Sequence, residues 1–126
     1  MPPEYVDDAR TPDDAMLWRY ISEEYLKPDG TASSGAYRTK HMSTFVVAAQ
    51  AVEGVTTEQA LRAKFPAGIR FQFFTAKQAR DAGCMIVRIP DDDGDESHRE
   101  ICPTGDPHPT LRKEADKLKS IADWCE

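Results

Sequence analysis

Cysteine is scarce in this chain, and its spacing excludes two classes of small protein. The 126 residues include three cysteines, Cys84, Cys102 and Cys125, and no two of them form a CxxC pair. An odd, scattered set argues against a disulfide framework and against a structural zinc site. We therefore expect reduced thiols and no metal site. Because Cys84 and Cys102 lie in or beside apolar runs, we predict that both are buried.

Long apolar runs are also missing from the sequence. No stretch approaches the roughly 20 apolar residues that a membrane-spanning helix needs. Residues 1–14 are acidic and lack the apolar centre of a signal peptide. These two features predict a cytoplasmic protein that has no membrane partner.

A clustered basic surface is absent as well. The formal net charge is −6, and the acidic residues concentrate in 1–14 and in DDDGDE at 91–96. Neutralising the phosphates of a nucleic acid requires a basic face, and the only basic segment is the short RTKH at 38–41. We therefore expect no nucleic-acid partner.

The chain also lacks a glycine-rich phosphate loop, which counts against classical nucleotide binding, and we predict no cofactor.

What the chain does contain is the composition of one soluble domain. Hydrophobic residues make up 40% and charged residues 30%, which is typical of a globular fold of this length. We predict an acidic, proline-containing arm at 1–14 and a single domain at 15–126. The elements follow the order β, loop, β, α, β, α, β, β, α. This order predicts an α+β domain with a mixed or antiparallel sheet and about three helices on one of its faces.

Five segments predict strands through their alternation or their β-branched and aromatic content. They are 15–21, 43–52, 69–75, 84–90 and 97–102. For the alanine-rich segment 43–52 a short helix is the alternative. The last two flank the acidic turn and predict a hairpin.

Three segments predict helices. Thr56 with Gln59, and Thr75 with Gln78, have the spacing of capping boxes and predict helices over 56–65 and 75–83. A third helix begins at Thr110. Its apolar stripe comprises Leu111, Ala115, Leu118, Ile121, Ala122 and Cys125.

The segment SSGAYRTKHMSTF at 33–45 is rich in hydroxyl groups and lies between two predicted strands. It is either a site or a polar connection. Arg19 lies within the apolar strand before it, and Arg88 lies within the strand 84–90. A buried arginine needs a carboxylate or a bound anion, whereas exposure at alternate strand positions is the simple alternative for both residues.

Two other constellations fall short of a metal or catalytic site. DDDGDE is not an EF-hand loop, because Ile89 replaces the first ligand, and a solvated hairpin tip is expected there. Cys102 follows His98 by four positions, which is about 13 Å along a strand. The two residues therefore do not form a nucleophile–base pair. We expect His98 to face water on the hairpin.

Several short motifs lie in one order along the chain: LWRYI at 17–21, SSGAYR at 33–38, Met-Ser at 42–43, and 73–90 followed by a late histidine. This pattern resembles a family of small uncharacterised bacterial proteins, over residues 16–125. The resemblance carries no reaction, and this chain departs from the pattern by Gly35 and by the acidic insert. It implies a site made of Arg19, Ser33, Ser34, Tyr37, Ser43 and His98.

Two hypotheses of function follow. The first is a small cytosolic accessory or protein-interaction domain, one component of a multi-protein bacterial system, which binds a protein partner. Aromatic residues dominate interface hot spots, and the anchors would be Tyr25, Tyr37 and Trp124. The acidic arm and the small size favour this first hypothesis.

The second hypothesis is a small enzyme or sensor that binds a nucleotide-like or phosphorylated anion through an Arg–Ser/Tyr–His site. An arginine on the first strand followed by a hydroxyl-rich loop is faintly similar to ADP-ribosyltransferase folds, in which Glu100 would have to supply the glutamate. No residue receives a catalytic role from the sequence. Convergence of Arg19, Ser43 and His98 in one pocket would favour this hypothesis.

Overall fold

The computed structural model describes residues 7–37, 42–89, 94–103 and 113–125. The predicted α+β fold is confirmed, with six antiparallel strands in one sheet in the order β4-β5-β2-β1-β3-β6. The strands are β1 Met16–Ile21, β2 Met42–Val47, β3 Arg70–Thr75, β4 Cys84–Arg88, β5 His98–Pro103 and β6 Asp123–Cys125. The predicted hairpin pairs β4 with β5.

Within these described ranges three α-helices accompany the sheet: α1 Glu58–Lys64, α2 Ala76–Asp81 and α3 Lys113–Ile121. At α2 the capping box of Thr75 and Gln78 forms as predicted. At α1 the predicted cap is wrong by one position, because Thr57, and not Thr56, accepts the hydrogen bond from the Ala60 amide. The backbone of Thr56 instead forms hydrogen bonds with Val46 and Ala48 at the end of β2. Because these bonds hold Thr56 in the ladder, the helix begins one residue later and Thr57 caps it.

The C-terminal end of the chain differs from the sequence prediction. The helical stripe was expected to continue to Cys125, but α3 ends at Ile121 and the next residues form β6 on the edge of β3. Cys125 pairs with Phe71 in that ladder. Pairing with a sheet edge needs an extended backbone, so tertiary contact overrides the helical period here. Thr110 and Leu111 lie outside the described residues.

The two faces of the sheet have different coverings. We call the side that carries Leu17, Arg19 and Ile21 the core face; its apolar cluster includes Ala79 of α2 and Leu118 of α3. We call the other side the aromatic face. Its members are Trp18, Tyr20, Phe45, Phe71 and Phe73 of the strands, together with Leu61 and Phe65 from the α1 side. The expectation that all helices lie on one face is therefore wrong, because α1 packs against the aromatic face.

Asp7 and Asp8 lie against the free edge of β4. The Asp8 amide donates to the Ile86 carbonyl at 2.7 Å, and the Ile86 amide donates to the Asp7 carboxylate at 2.9 Å. Both outward backbone groups of Ile86 are thereby satisfied, which protects an otherwise open strand edge.

Within the described part of the chain, no helix combines the length and apolar character needed to cross a membrane.

Candidate functional site

The hydroxyl-rich segment 33–45 divides into several structural parts. Ser34–Ala36 form a turn of 3-10 helix, and Tyr37 follows it into the core. Residues 38–41 lie outside the described residues. The last residues of the segment belong to strand β2, which begins at Met42, one residue before the predicted strand 43–52, and ends earlier than predicted, at Val47. The pairing of β2 with β5 brings Ser43 and Thr44 into the sheet.

Arg19 is the central side chain of the candidate site. It is only 6% exposed, so the alternative of solvent exposure is wrong for this residue. Its Nη1 donates to the Ser43 carbonyl and its Nη2 to the Ala36 carbonyl, each at 3.1 Å. The guanidinium carbon also lies 4.6 Å from the ring centre of Tyr20. Burial lowers the pKa of Arg19, although a guanidinium stays charged at neutral pH.

The sheet explains why a guanidinium is held at this point. Strands β1 and β2 pair from Met16 to Trp18, but β1 then continues with β3 alone while β2 continues with β5. The residues of β2 that precede Phe45 therefore have no amide groups of β1 opposite them to donate to their carbonyls. Arg19 supplies the missing donor to Ser43, as buried carbonyls require.

Tyr37 and Gln72 extend the polar cluster within the core face. The Tyr37 side chain is fully buried, and its hydroxyl donates to Oε1 of Gln72. Gln72 stands directly opposite Arg19 in the β1–β3 ladder. Burial raises the pKa of Tyr37, so the phenol remains protonated at neutral pH. The expectation of Tyr37 as a surface anchor is wrong, since no part of it reaches solvent.

The other two expected anchors are partly buried. Tyr25 packs against the core cluster, and a Cβ built on Gly35 would lie 3.2 Å from the Tyr25 ring. Trp124 lies in β6 and also packs against this cluster. The Arg70 guanidinium carbon is 3.9 Å from the Trp124 ring centre, within the range of a cation–π contact.

His98 does not join the Arg19 cluster. It pairs directly with Phe45 across the β2–β5 ladder, with 5.4 Å between the ring centres, so it lies on the aromatic face. Its Nδ1 is 2.6 Å from the Ile89 carbonyl oxygen. Only 6% of His98 is exposed, and the expectation that it faces water is wrong.

The serines of the predicted set are placed differently from one another. Ser43 projects its side chain on the same face as Phe45, so only its carbonyl meets Arg19. Ser33 is half-buried, and its amide donates to the Tyr25 carbonyl at 2.7 Å. Nothing is described of the Ser34 side chain. Arg19 and Tyr37 thus lie together on the core face, whereas His98 and Glu100 belong to the opposite face.

A second buried arginine, Arg99, was not anticipated from the sequence. It is 4% exposed, and Nε donates to the Thr11 hydroxyl at 3.1 Å. Its terminal nitrogens donate to the backbone carbonyls of Glu96, His98 and Gly54. It joins the N-terminal segment, the β4–β5 hairpin and the turn before α1. One sequence signal could have indicated this burial. Arg99 lies two positions before Ile101 in the predicted strand, so the two side chains share the face that packs into the core.

Arg88 lies beside Arg99 and is largely held by carboxylates. Its Nη2 is 2.7 Å from Glu96 and 3.9 Å from Glu53. A Cβ built on Gly54 would lie 3.1 Å from this group, and Gly54 also has a φ of +79°. Glycine is therefore required here twice, by close approach and by conformation.

The thiols have raised pKa values. Cys84 and Cys102 are buried, as predicted. Burial raises the pKa of Cys84 to about 12 and that of Cys102 to about 11, and it raises the pKa of Cys125 to about 12. A thiol with such a pKa is a poor nucleophile.

In the described ranges no three metal-ligating side chains gather into a possible ion site, and Asp91, Asp92 and Asp93 fall outside those ranges.

Comparison with models of known protein families, with curated proteins and with solved structures finds no match to this chain. Its functional interpretation therefore depends on the geometry described above.

Proposed function

We propose that this protein is a small cytoplasmic accessory domain that binds a basic protein partner through its aromatic face. The partner is another component of a multi-protein bacterial system. The observation that carries the proposal is a set of partly exposed aromatic side chains on a sheet face that α1 covers incompletely.

Trp18 and Phe73 form the centre of this surface. They stand directly opposite each other in the β1–β3 ladder, and both are partly exposed. Tyr20 lies two positions further along β1 and is also partly exposed. Its ring centre is 5.0 Å from that of Phe65, next to the end of α1. Rigid aromatic groups of this kind supply most of the binding energy in protein interfaces.

Acidic residues border the aromatic surface and suggest the charge of the partner. Asp123 is exposed and pairs directly with Phe73 across the β3–β6 ladder. Glu58 is exposed at the start of α1. Arg62 lies 5.5 Å from the Trp18 ring centre, and its Nη2 lies 3.7 Å from Glu58. With a net charge of −6, the domain attracts basic partners over long range.

The test is capture of a partner followed by a measurement with two purified proteins. The tagged protein is used to isolate binding proteins from its host, and each candidate is purified. Affinity is then measured for wild type, Phe73→Ala and Tyr20→Ala. Val52→Ala is the matched control, because Val52 is 63% exposed in the turn before α1, away from the aromatic face.

We expect the two aromatic variants to weaken binding by at least about tenfold, which corresponds to about 1.4 kcal/mol. The control should bind like wild type, and circular dichroism should show that all the variants are folded. Higher salt should weaken binding to a basic partner. Equal affinity of all four proteins, or absence of any partner that binds as a purified protein, would contradict the proposal.

A further inference from the structure

Two buried arginines lie on the core face of the sheet, and their surroundings differ. Arg99 has four described hydrogen bonds, including one from Nε. Burial and the neighbouring Arg88 lower the pKa of Arg99, and the carboxylates of Asp8 and Glu96 act in the opposite direction. All three side-chain nitrogens of Arg99 donate to described acceptors, as buried donors require.

Arg19 is hydrogen bonded less completely than Arg99. Its described hydrogen bonds are two, both to backbone carbonyls, and among the described residues its buried Nε has no partner. Within residues 7–37, 42–89, 94–103 and 113–125, no carboxylate forms an ion pair with it. The side chains that favour its charged form belong to three tyrosines, Tyr20, Tyr37 and Tyr25, and none of them carries a carboxylate.

An uncompensated buried cation with a free Nε is unusual, because desolvating a charge without a counter-charge is costly. The Nε–Nη edge of a guanidinium matches two oxygens of a carboxylate or a phosphate. We propose that Arg19 is the centre of a binding site for a small oxyanion: a phosphate, sulfate or carboxylate group. The anion supplies the acceptor that Nε lacks and places a negative charge beside the guanidinium.

The neighbouring groups define how such an anion is held. The Tyr37 hydroxyl is already donated to Gln72, so these two residues shape the site and leave Arg19 as the charged donor. Tyr20 and Tyr25 act on the charge of Arg19, and both side chains are partly exposed to solvent. Because Arg19 itself is 6% exposed, the anion enters by a local displacement of the side chains around it. Arg19 projects from the face opposite the proposed protein-binding surface, although Tyr20 borders both.

The experiment titrates the wild-type protein, dialysed free of oxyanions, with phosphate, sulfate, acetate and chloride at matched ionic strength. The readout is the Nε–H signal of each arginine in ¹H–¹⁵N correlation spectra, with Arg99 as the internal control. We expect the Arg19 signal to move saturably with at least one oxyanion, while the Arg99 signal stays in place. The anion that produces the shift distinguishes a phosphate-type from a carboxylate ligand.

Thermal unfolding provides the second measurement. At ten times its dissociation constant, the active anion should raise the Tm of wild type by about 4 °C. Arg99→Lys should keep this rise, and Arg19→Lys should lose it. If Arg19→Lys does not fold, the wild-type spectra decide the question alone. An Arg19 Nε signal that ignores all three oxyanions, or a Tm rise that survives in Arg19→Lys, would overturn the proposal.

Discussion

The Arg80 guanidinium lies 2.7 Å from the Asp13 carboxylate, although 67 positions separate the two residues in the sequence. The same side chain is 3.1 Å from Asp7 and donates to the carbonyls of Asp8 and Thr11. One arginine of α2 therefore binds both ends of the segment 7–14, and at the first end Asp7 and Asp8 contact the edge strand β4.

This arrangement predicts the effect of removing Arg80. Arg80→Ala should lower the free energy of unfolding by about 1–3 kcal/mol, because several hydrogen bonds to charged and carbonyl groups are lost together. The Ile86 amide, which donates to Asp7, should exchange its hydrogen faster. Urea unfolding and hydrogen exchange measure the two effects.

Lys77→Ala is the matched control for Arg80→Ala. Lys77 is on the same helix and pairs with Asp81 at 2.9 Å, but both side chains are more than 60% exposed, at 64% and 66%. Such an exposed pair contributes little to the free energy of unfolding. Equal losses of stability in the two variants would show that Arg80 does not hold the segment.

The carboxyl group of Asp8 should make stability dependent on pH. Burial raises its pKa, but the Thr11 hydroxyl, the Arg10 amide and the Arg99 charge outweigh this effect, and the pKa lies below 3.8 in the folded protein. A lowered pKa stabilises the fold above the unfolded value and loses that contribution as pH falls through the folded value. Unfolding should therefore become easier below about pH 4, and Asp8→Asn should show a smaller change between pH 5 and pH 3. An identical pH dependence in Asp8→Asn would exclude Asp8 as a contributor.

The hydrogen bond from Tyr37 to Gln72 predicts a stability change without a change in shape. Tyr37→Phe leaves Oε1 of a 5% exposed Gln72 without its donor, at a cost of about 1–3 kcal/mol. The double variant Tyr37→Phe, Gln72→Leu should recover part of that loss, because the acceptor that lost its donor is then absent as well. Urea unfolding of the two single variants and the double variant measures the coupling. Strictly additive effects would mean that the bond does not couple the two side chains.

The thiols should resist modification in the native protein. Two cysteines are buried and the third is partly buried, with pKa values raised to about 12, 11 and 12 at Cys84, Cys102 and Cys125. Very little thiolate is present at pH 8 under these conditions. We expect an aromatic disulfide reagent to react slowly with the folded protein and rapidly with all three cysteines in urea. Fast reaction of one thiol in the native protein would contradict the described burial of that residue.

Local sequence predicted the elements whose signals are contained within a few residues. The capping box at Thr75 and the stop at Gly83, which has a φ of +94°, depend only on neighbouring residues, and α2 forms as predicted. The strand and hairpin predictions at 84–90 and 97–102 were right for the same reason. The C-terminal strand β6 was missed because Asp123–Cys125 form it only through the edge of β3.

The candidate site shows the same division. A strand position for Arg19 and a nearby hydroxyl-rich segment were visible in the sequence, and the Arg19–Tyr37 neighbourhood exists. His98 was placed in the same set, but the register from Trp18 through Phe45 to His98 puts it on the other face. Arg99 was missed, because its partners come from three separate parts of the chain.

The sequence by itself determined the α+β class, the apolar alternation of the strands, the caps of α2 and the buried thiols, since each follows from local spacing or composition. Only the tertiary structure decided which polar groups meet. The side chain of a strand residue lies on one face or the other according to register, and register is set by pairing between distant segments. For this reason the unpaired Nε of Arg19 and the partly exposed rings of Trp18 and Phe73, on which the two proposals rest, became evident only in the folded protein.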